Sequence, residues 1–152
     1  LVARVIVNRI WMHHFGTGIV GTPGDFGRLG MQPTHPQLLD WLADEFMKQG
    51  WSMKKLHRTI MISTVYRQSS HRDSAKNTID SSNHFYWRKS LIRLEAEILR
   101  DRMLAVSGVL DRTQFGPPLA IKEDDSGQLV VTNGQKRRSM SIQVRRSPPV
   151  ES

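Results

Sequence analysis

The sequence predicts a mainly α fold: a four-helix-centred domain with a long glycine-rich loop and a short β-hairpin near the C-terminal end. Three observations predict it. Apolar residues recur at helical spacing in four segments. Six glycines and two prolines crowd residues 16 to 33 between the first two of them. After Gly116-Pro117-Pro118 the pattern changes to short alternating apolar runs. A helical domain over 1–110, followed by an extended tail over 111–152 with a hairpin, is the expected organisation.

The first helix is expected over Val2–Phe15, with Val2, Val5, Ile6, Ile10 and Trp11 on its apolar face and Gly16 as its C-terminal stop. Asn8 and Arg9 interrupt that face, and a buried Arg9 would need an acidic partner: Glu95, Glu97, Asp101 or Asp25. The second helix should open on a capping box of Thr34 and Gln37, with Pro36 in its first turn, and bury Leu38, Leu39, Leu42 and Phe46, with Trp41 at the flank. Ser52 is the expected cap of the third helix, with Trp51 and Leu56 as a hydrophobic staple; Leu56, Ile60, Ser63 and Arg67 share one stripe. Residues 68 to 90 read as an exposed loop anchored by Phe85, Tyr86 and Trp87. A fourth helix over Leu91–Ser107 carries the stripe Ile92, Ala96, Leu99, Met103 and Val106 and ends at Gly108. Leu129–Val131, a turn at Asn133-Gly134, and Met140, Ile142 and Val144 complete the expected hairpin.

Composition narrows the chemistry. Zero cysteine excludes disulfides, thiolate metal ligands, cysteine nucleophiles and thioether-bound haem within this chain. No apolar run approaches the roughly 18–20 residues that span a bilayer. A net charge of +8 favours acidic partners such as nucleic acid, anionic polysaccharide or an acidic neighbouring domain. The charge is spread along the chain, with one denser patch at Lys136, Arg137, Arg138, Arg145 and Arg146, so general solvation is preferred to a nucleic-acid site.

No complete catalytic constellation is present. Adjacent His13 and His14 diverge by about 100° on a helix and do not share a metal, although His35 is a conceivable further ligand. Gly16-Thr17-Gly18 and Gly24-Asp25-Phe26-Gly27 match neither a dinucleotide fingerprint nor a P-loop. Glu95 and Glu97 point about 200° apart and do not form an acid–base pair. Trp51, Trp87, Tyr66 and Phe85 read as core before they read as a sugar platform. The functional alternative is a polar cleft in which Asn8, Arg9, Asp25, His35 and Glu95 converge.

Several segments in order carry a family likeness: Val7-Asn8-Arg9-Ile10-Trp11 through Phe15-Gly16-Thr17-Gly18, Asp25-Phe26-Gly27, Thr34-His35-Pro36, Leu38-Leu39-Asp40-Trp41-Leu42, Gly50-Trp51-Ser52, Tyr66-Arg67-Gln68-Ser69-Ser70, Arg93-Leu94-Glu95-Ala96-Glu97 and Gln143-Val144-Arg145-Arg146-Ser147. The chain resembles domain-of-unknown-function family 1553, found in planctomycetes at the C-terminal end of large exported proteins that carry a c-type cytochrome domain. The resemblance implies a periplasmic or otherwise extracytoplasmic setting, haem c elsewhere in the parent polypeptide and companion domains as partners. It also implies a chain cut short at its C-terminal end, as the helical pattern already running at residue 2 suggests for its front, and supplies no catalytic residues. An accessory or interaction module is therefore the first functional reading. A composite active site for oxidation or breakdown of polysaccharide is the second, and nonspecific anion or nucleic-acid binding the third.

Overall fold

The computed structural model describes residues 1–132 and 136–143. The chain is mainly helical, with a small antiparallel hairpin. It divides into two compact units, Leu1–Ile92 and Arg93–Ser152, so the helical segment expected to close the first domain is grouped with the residues that follow it.

The first unit is built on α1 (Val2–Phe15), α2 (Pro36–Lys48) and α3 (Met53–Ile62), with short helices α4 (Thr64–Arg67) and α5 (Ser74–Ile79). The buried face of α1 is Ala3, Val7, Asn8, Ile10, Trp11 and Phe15. It is rotated from the expected one: Val2 is exposed, and so is Arg9, which carries no ion pair among the described residues. Leu39, Leu42, Ala43 and Phe46 of α2 and Leu56 and Ile60 of α3 pack into the same core, each large side chain contributing about 1.5–3 kcal/mol. Trp41, on the flank of α2, is half-exposed. An Arg4–Asp40 ion pair of 2.7 Å joins the outer edges of α1 and α2; half-exposed as it is, it adds less than about 1 kcal/mol.

Gly16 and Ser52 bound their helices as expected, and the cap of the second helix does not form. Gly16 adopts φ 86° and returns its N–H to the Met12 carbonyl, ending α1 as expected. Ser52 caps α3 by accepting from the Lys55 N–H, while Trp51 packs edge-on against Phe46. The Thr34 capping box does not form. His35 occupies the cap position of α2 without a side-chain bond, and Thr34 instead donates both its N–H and its hydroxyl to the Ile19 carbonyl. The competing long-range acceptor takes the hydroxyl that the local motif would have used. At Ser63 the backbone turns extended and its hydroxyl caps α4 by accepting from the Tyr66 N–H, which breaks the single third helix expected from periodicity. Ser74–Ile79, read as loop, is helical because Asp73 caps it through the Lys76 N–H.

The glycine-rich stretch is ordered by its own polar groups. Asn8, fully buried on α1, donates from Nδ2 to the Val20 carbonyl at 3.0 Å and accepts the Val20 N–H on Oδ1 at 2.8 Å. Ile19 and Val20 thereby enter the core. A Cβ on Gly18 would stand 2.5 Å from the Val20 carbonyl oxygen and 2.8 Å from both Asn8 side-chain polar atoms, so only glycine permits this approach. The Thr22 hydroxyl donates to the Asp25 carbonyl and accepts the Met31 N–H, closing the loop on itself.

The second unit contains α6 (Ala96–Val106) and the hairpin of β1 (Ile121–Glu123) with β2 (Leu129–Val131). Its register pairs Ile121 with Val131 and Glu123 with Leu129. The expected hairpin used the downstream partner. The actual turn is upstream, because the Asp124 carboxylate collects the Ser126 and Gln128 N–H groups and Gly127 takes φ 76°. Asn133-Gly134 and Val144 lie outside the described residues; Ser139–Ser141 form a 3-10 turn. Asp101 of α6 accepts the Ser139 N–H and hydroxyl at 2.7 Å, and Arg100 donates to the Arg137 carbonyl. Helix α6 begins five residues later than periodicity suggests, and no residue on it is buried.

Replacing Asn8 by leucine strands a buried N–H and carbonyl of Val20. We expect a loss of about 3 kcal/mol, read as a lower urea midpoint with little change in its slope.

Candidate functional site

The C-terminal end of α1 gathers polar and aromatic side chains from α3, α4 and the stretch 80–90. Trp11 and Phe15 lie one turn apart and stack with centroids 4.2 Å from each other. Leu56 and Ile60 seat α3 in the core, and His57, beside Leu56 and three residues before Ile60, is carried to the margin of that contact. There the His57 Nδ1 lies 2.8 Å from the His14 Nε2.

The stretch 80–90 closes the other side. The Asp80 carboxylate accepts the His84 and Phe85 N–H groups, each at 2.9 Å, and the Asp80 carbonyl accepts the Trp87 indole. Asn83 ties to both backbone polar groups of Arg88. This scaffold places Tyr86 at φ 51° with its hydroxyl accepting the Trp11 indole N–H at 2.9 Å. Burial pushes the Tyr86 hydroxyl above its ordinary value, partly offset by its bonds with Trp11 and Thr34. Lys89 then lies with Nζ 4.0 Å from the Tyr66 centroid and 4.4 Å from that of Phe15, donating to the His14 carbonyl. A cation over two rings at a helix C-terminus is doubly favoured, yet burial still pulls its ammonium below the usual lysine value. The His14 imidazole is also pulled down, by burial first and then by His57, Lys89 and His13.

Chemically, this arrangement holds a cation and shares a proton between two imidazoles. Among the described residues, no group of three His, Asp or Glu side chains is placed to hold a metal ion.

The residues singled out from the sequence are dispersed in role. Asn8 spends both side-chain polar atoms on Val20. Arg9 is exposed on α1. Asp25 is exposed and accepts the Gly27 N–H within its own turn. His35 bonds the Thr34 hydroxyl at 3.0 Å and packs on Tyr86, with no contact to His13 or His14 among the described interactions. Glu95, in the second unit, precedes α6 and makes no side-chain cap bond. Among Asn8, Arg9, Asp25 and His35, all in the first unit, no described hydrogen bond or ion pair joins any two. Of the expected aromatic core, Tyr66 contributes, whereas Trp51 and Phe85 are exposed. Arg137, expected in a basic surface patch, clamps the carbonyls of Phe115 and Pro117 and the Ser141 hydroxyl. Arg145 and Arg146 lie outside the described residues.

His57 and Lys89 escaped the sequence reading. A histidine on an amphipathic helix and a lysine in a polar loop have no local signature; only the neighbouring Phe85-Tyr86-Trp87 run marked the region as an anchor.

A family model described as PSD1, protein of unknown function (DUF1553), matches residues 1–152. No curated protein and no solved structure matches the chain.

Tyr86→Phe removes the acceptor of a nearly fully buried indole N–H. We expect a cost of about 1–2 kcal/mol, seen as a fall of several degrees in Tm.

Proposed function

The chain belongs to that family of unknown function, and from this premise we propose that it is a non-catalytic accessory module that binds companion domains of its own polypeptide. The setting is an exported, cytochrome-associated protein, with haem c carried by a companion domain.

The observation that supports this reading best is the surface of α6. Leu99, Met103 and Val106, spaced i, i+4 and i+7 on α6, are 51%, 66% and 90% exposed. A contiguous apolar strip left open to water marks a protein contact more often than a free surface. The roles of the polar residues support the same conclusion. A composite active site for polysaccharide oxidation or breakdown would draw on Asn8, and Asn8 is consumed in holding Val20. Attraction to nucleic acid would draw on the patch at 136–138, and there the Arg137 guanidinium is turned inward onto carbonyl oxygens.

The test is association in trans. The chain is mixed with the remainder of its parent polypeptide, expressed without it, and titrated calorimetrically at physiological salt. Micromolar or tighter binding is expected, about −8 kcal/mol. The double variant Leu99→Glu/Met103→Glu, which alters only exposed positions, should weaken it at least about tenfold. Absence of binding by the folded wild-type chain, or full binding by the double variant, overturns the proposal.

A further inference from the structure

The hydrogen bond between His14 and His57 sets a condition that no other contact in the first unit sets. An N···N bond of 2.8 Å needs one imidazole nitrogen to donate and the other to accept. Two neutral rings satisfy it, and so does one neutral ring with one imidazolium. Two imidazolium rings cannot, because neither retains a lone pair.

We propose that the His14–His57 pair is an acid-sensitive latch: while at least one ring is neutral it ties the His57 edge of α3 to the C-terminal end of α1, and when both are protonated that tie opens although α3 stays packed in the core.

The surroundings offer no compensation for the second proton. His14 faces His13 on its own helix, His57 on α3, the Tyr66 ring of α4 edge-on with centroids 5.3 Å apart, and Lys89 from the stretch 80–90. On α3, Lys54 and Arg58 neighbour His57 in sequence. None of these is a carboxylate, and among the described residues no Asp or Glu bonds either imidazole. Lys89 cannot readily move away, since its ammonium is tied to the His14 carbonyl and packed between Phe15 and Tyr66. Burial and these cations already hold the His14 imidazole below its ordinary value. The folded unit therefore binds fewer protons than the unfolded chain between that depressed value and about pH 6.5. Its stability is full above about pH 6.5 and declines as the pH falls below it.

Release is local. Leu56 and Ile60 remain in the core and keep α3 attached, whereas Tyr66, immediately after α3, forms one wall of the Lys89 seat. Opening the latch loosens α4 and the 80–90 stretch together and uncovers the Phe15 ring. The device thus couples external pH to exposure of an aromatic face.

Amide hydrogen exchange on the full chain at pH 7.5 and 5.5, corrected for intrinsic rates, tests this alongside imidazole ¹⁵N shifts. Asp73, which caps α5, and Asp80, which holds the His84 and Phe85 N–H groups, are both kept below the ordinary carboxylate value by those hydrogen bonds and stay ionised across this range. Protection in α4 and 80–90 should fall at least about tenfold at pH 5.5 relative to α2, and the ¹⁵N signal of the accepting ring nitrogen should be lost over the same pH range. His14→Gln, which keeps a neutral polar group and cannot protonate, should remove the pH response. Unchanged protection, an equal fall in His14→Gln, or an accepting-nitrogen ¹⁵N signal that persists where protection has fallen would overturn the latch. If His14→Gln does not fold, His57→Gln replaces it, and the wild-type ¹⁵N titration decides on its own.

Discussion

The first unit depends on the pairing of the Asn8 amide with the Val20 backbone. Asn8 lies in the middle of α1, fully buried, and offers one donor and one acceptor to a backbone amide that offers the reverse. An extended loop cannot enter a core with its backbone groups unpaired. By supplying both partners from one side chain, Asn8 lets Ile19 and Val20 cross the interior and fill space between α1 and α2. Gly18 makes the approach sterically possible. The loop then returns to Thr34, which bonds Ile19 and so fixes where α2 begins.

The same device, a side chain standing in for a missing backbone partner, recurs through the molecule. Asp80 gathers two N–H groups of the stretch that carries Tyr86 and Lys89. Asp124 does so for the hairpin turn, and Asp101 takes the N–H and hydroxyl of Ser139 at the 3-10 turn. Much of this small chain runs outside regular helix or strand, and its order comes from these local ties rather than from a large interior. The end of α1 becomes a junction in consequence: α3 arrives through core packing, the 80–90 stretch through its own scaffold, and their polar residues meet there. A junction made of two imidazoles and a lysine is firm in neutral solution and loses its acceptor in acid.

Local chemistry marked some features well. Gly16 and Ser52 act at helix ends as their residue types suggest, and the apolar period of α2 marks its buried face. Where a residue had two possible partners the local reading failed. Thr34 had a capping box within reach and bonded Ile19 instead; Leu129–Val131 had an apolar run on either side and paired with the earlier one. The candidate site was less legible still. Asn8 was recognised as an anomaly in an apolar face, but its partner is twelve residues away in a loop without periodicity.

The helical class, the glycine-rich excursion after the first helix, the lack of thiol groups and the family likeness were all legible along the chain. These follow from composition, spacing and residue type, which act within a few positions along the chain. Packing set Asn8 against the Val20 backbone, turned Arg9 to water, and brought His14 to His57 and not to His35. The physical reason is that a polar side chain's role is set by whichever partner the packed core brings within about 3 Å. Helix rotation and loop path choose that partner, and neither is written in the period of the apolar residues.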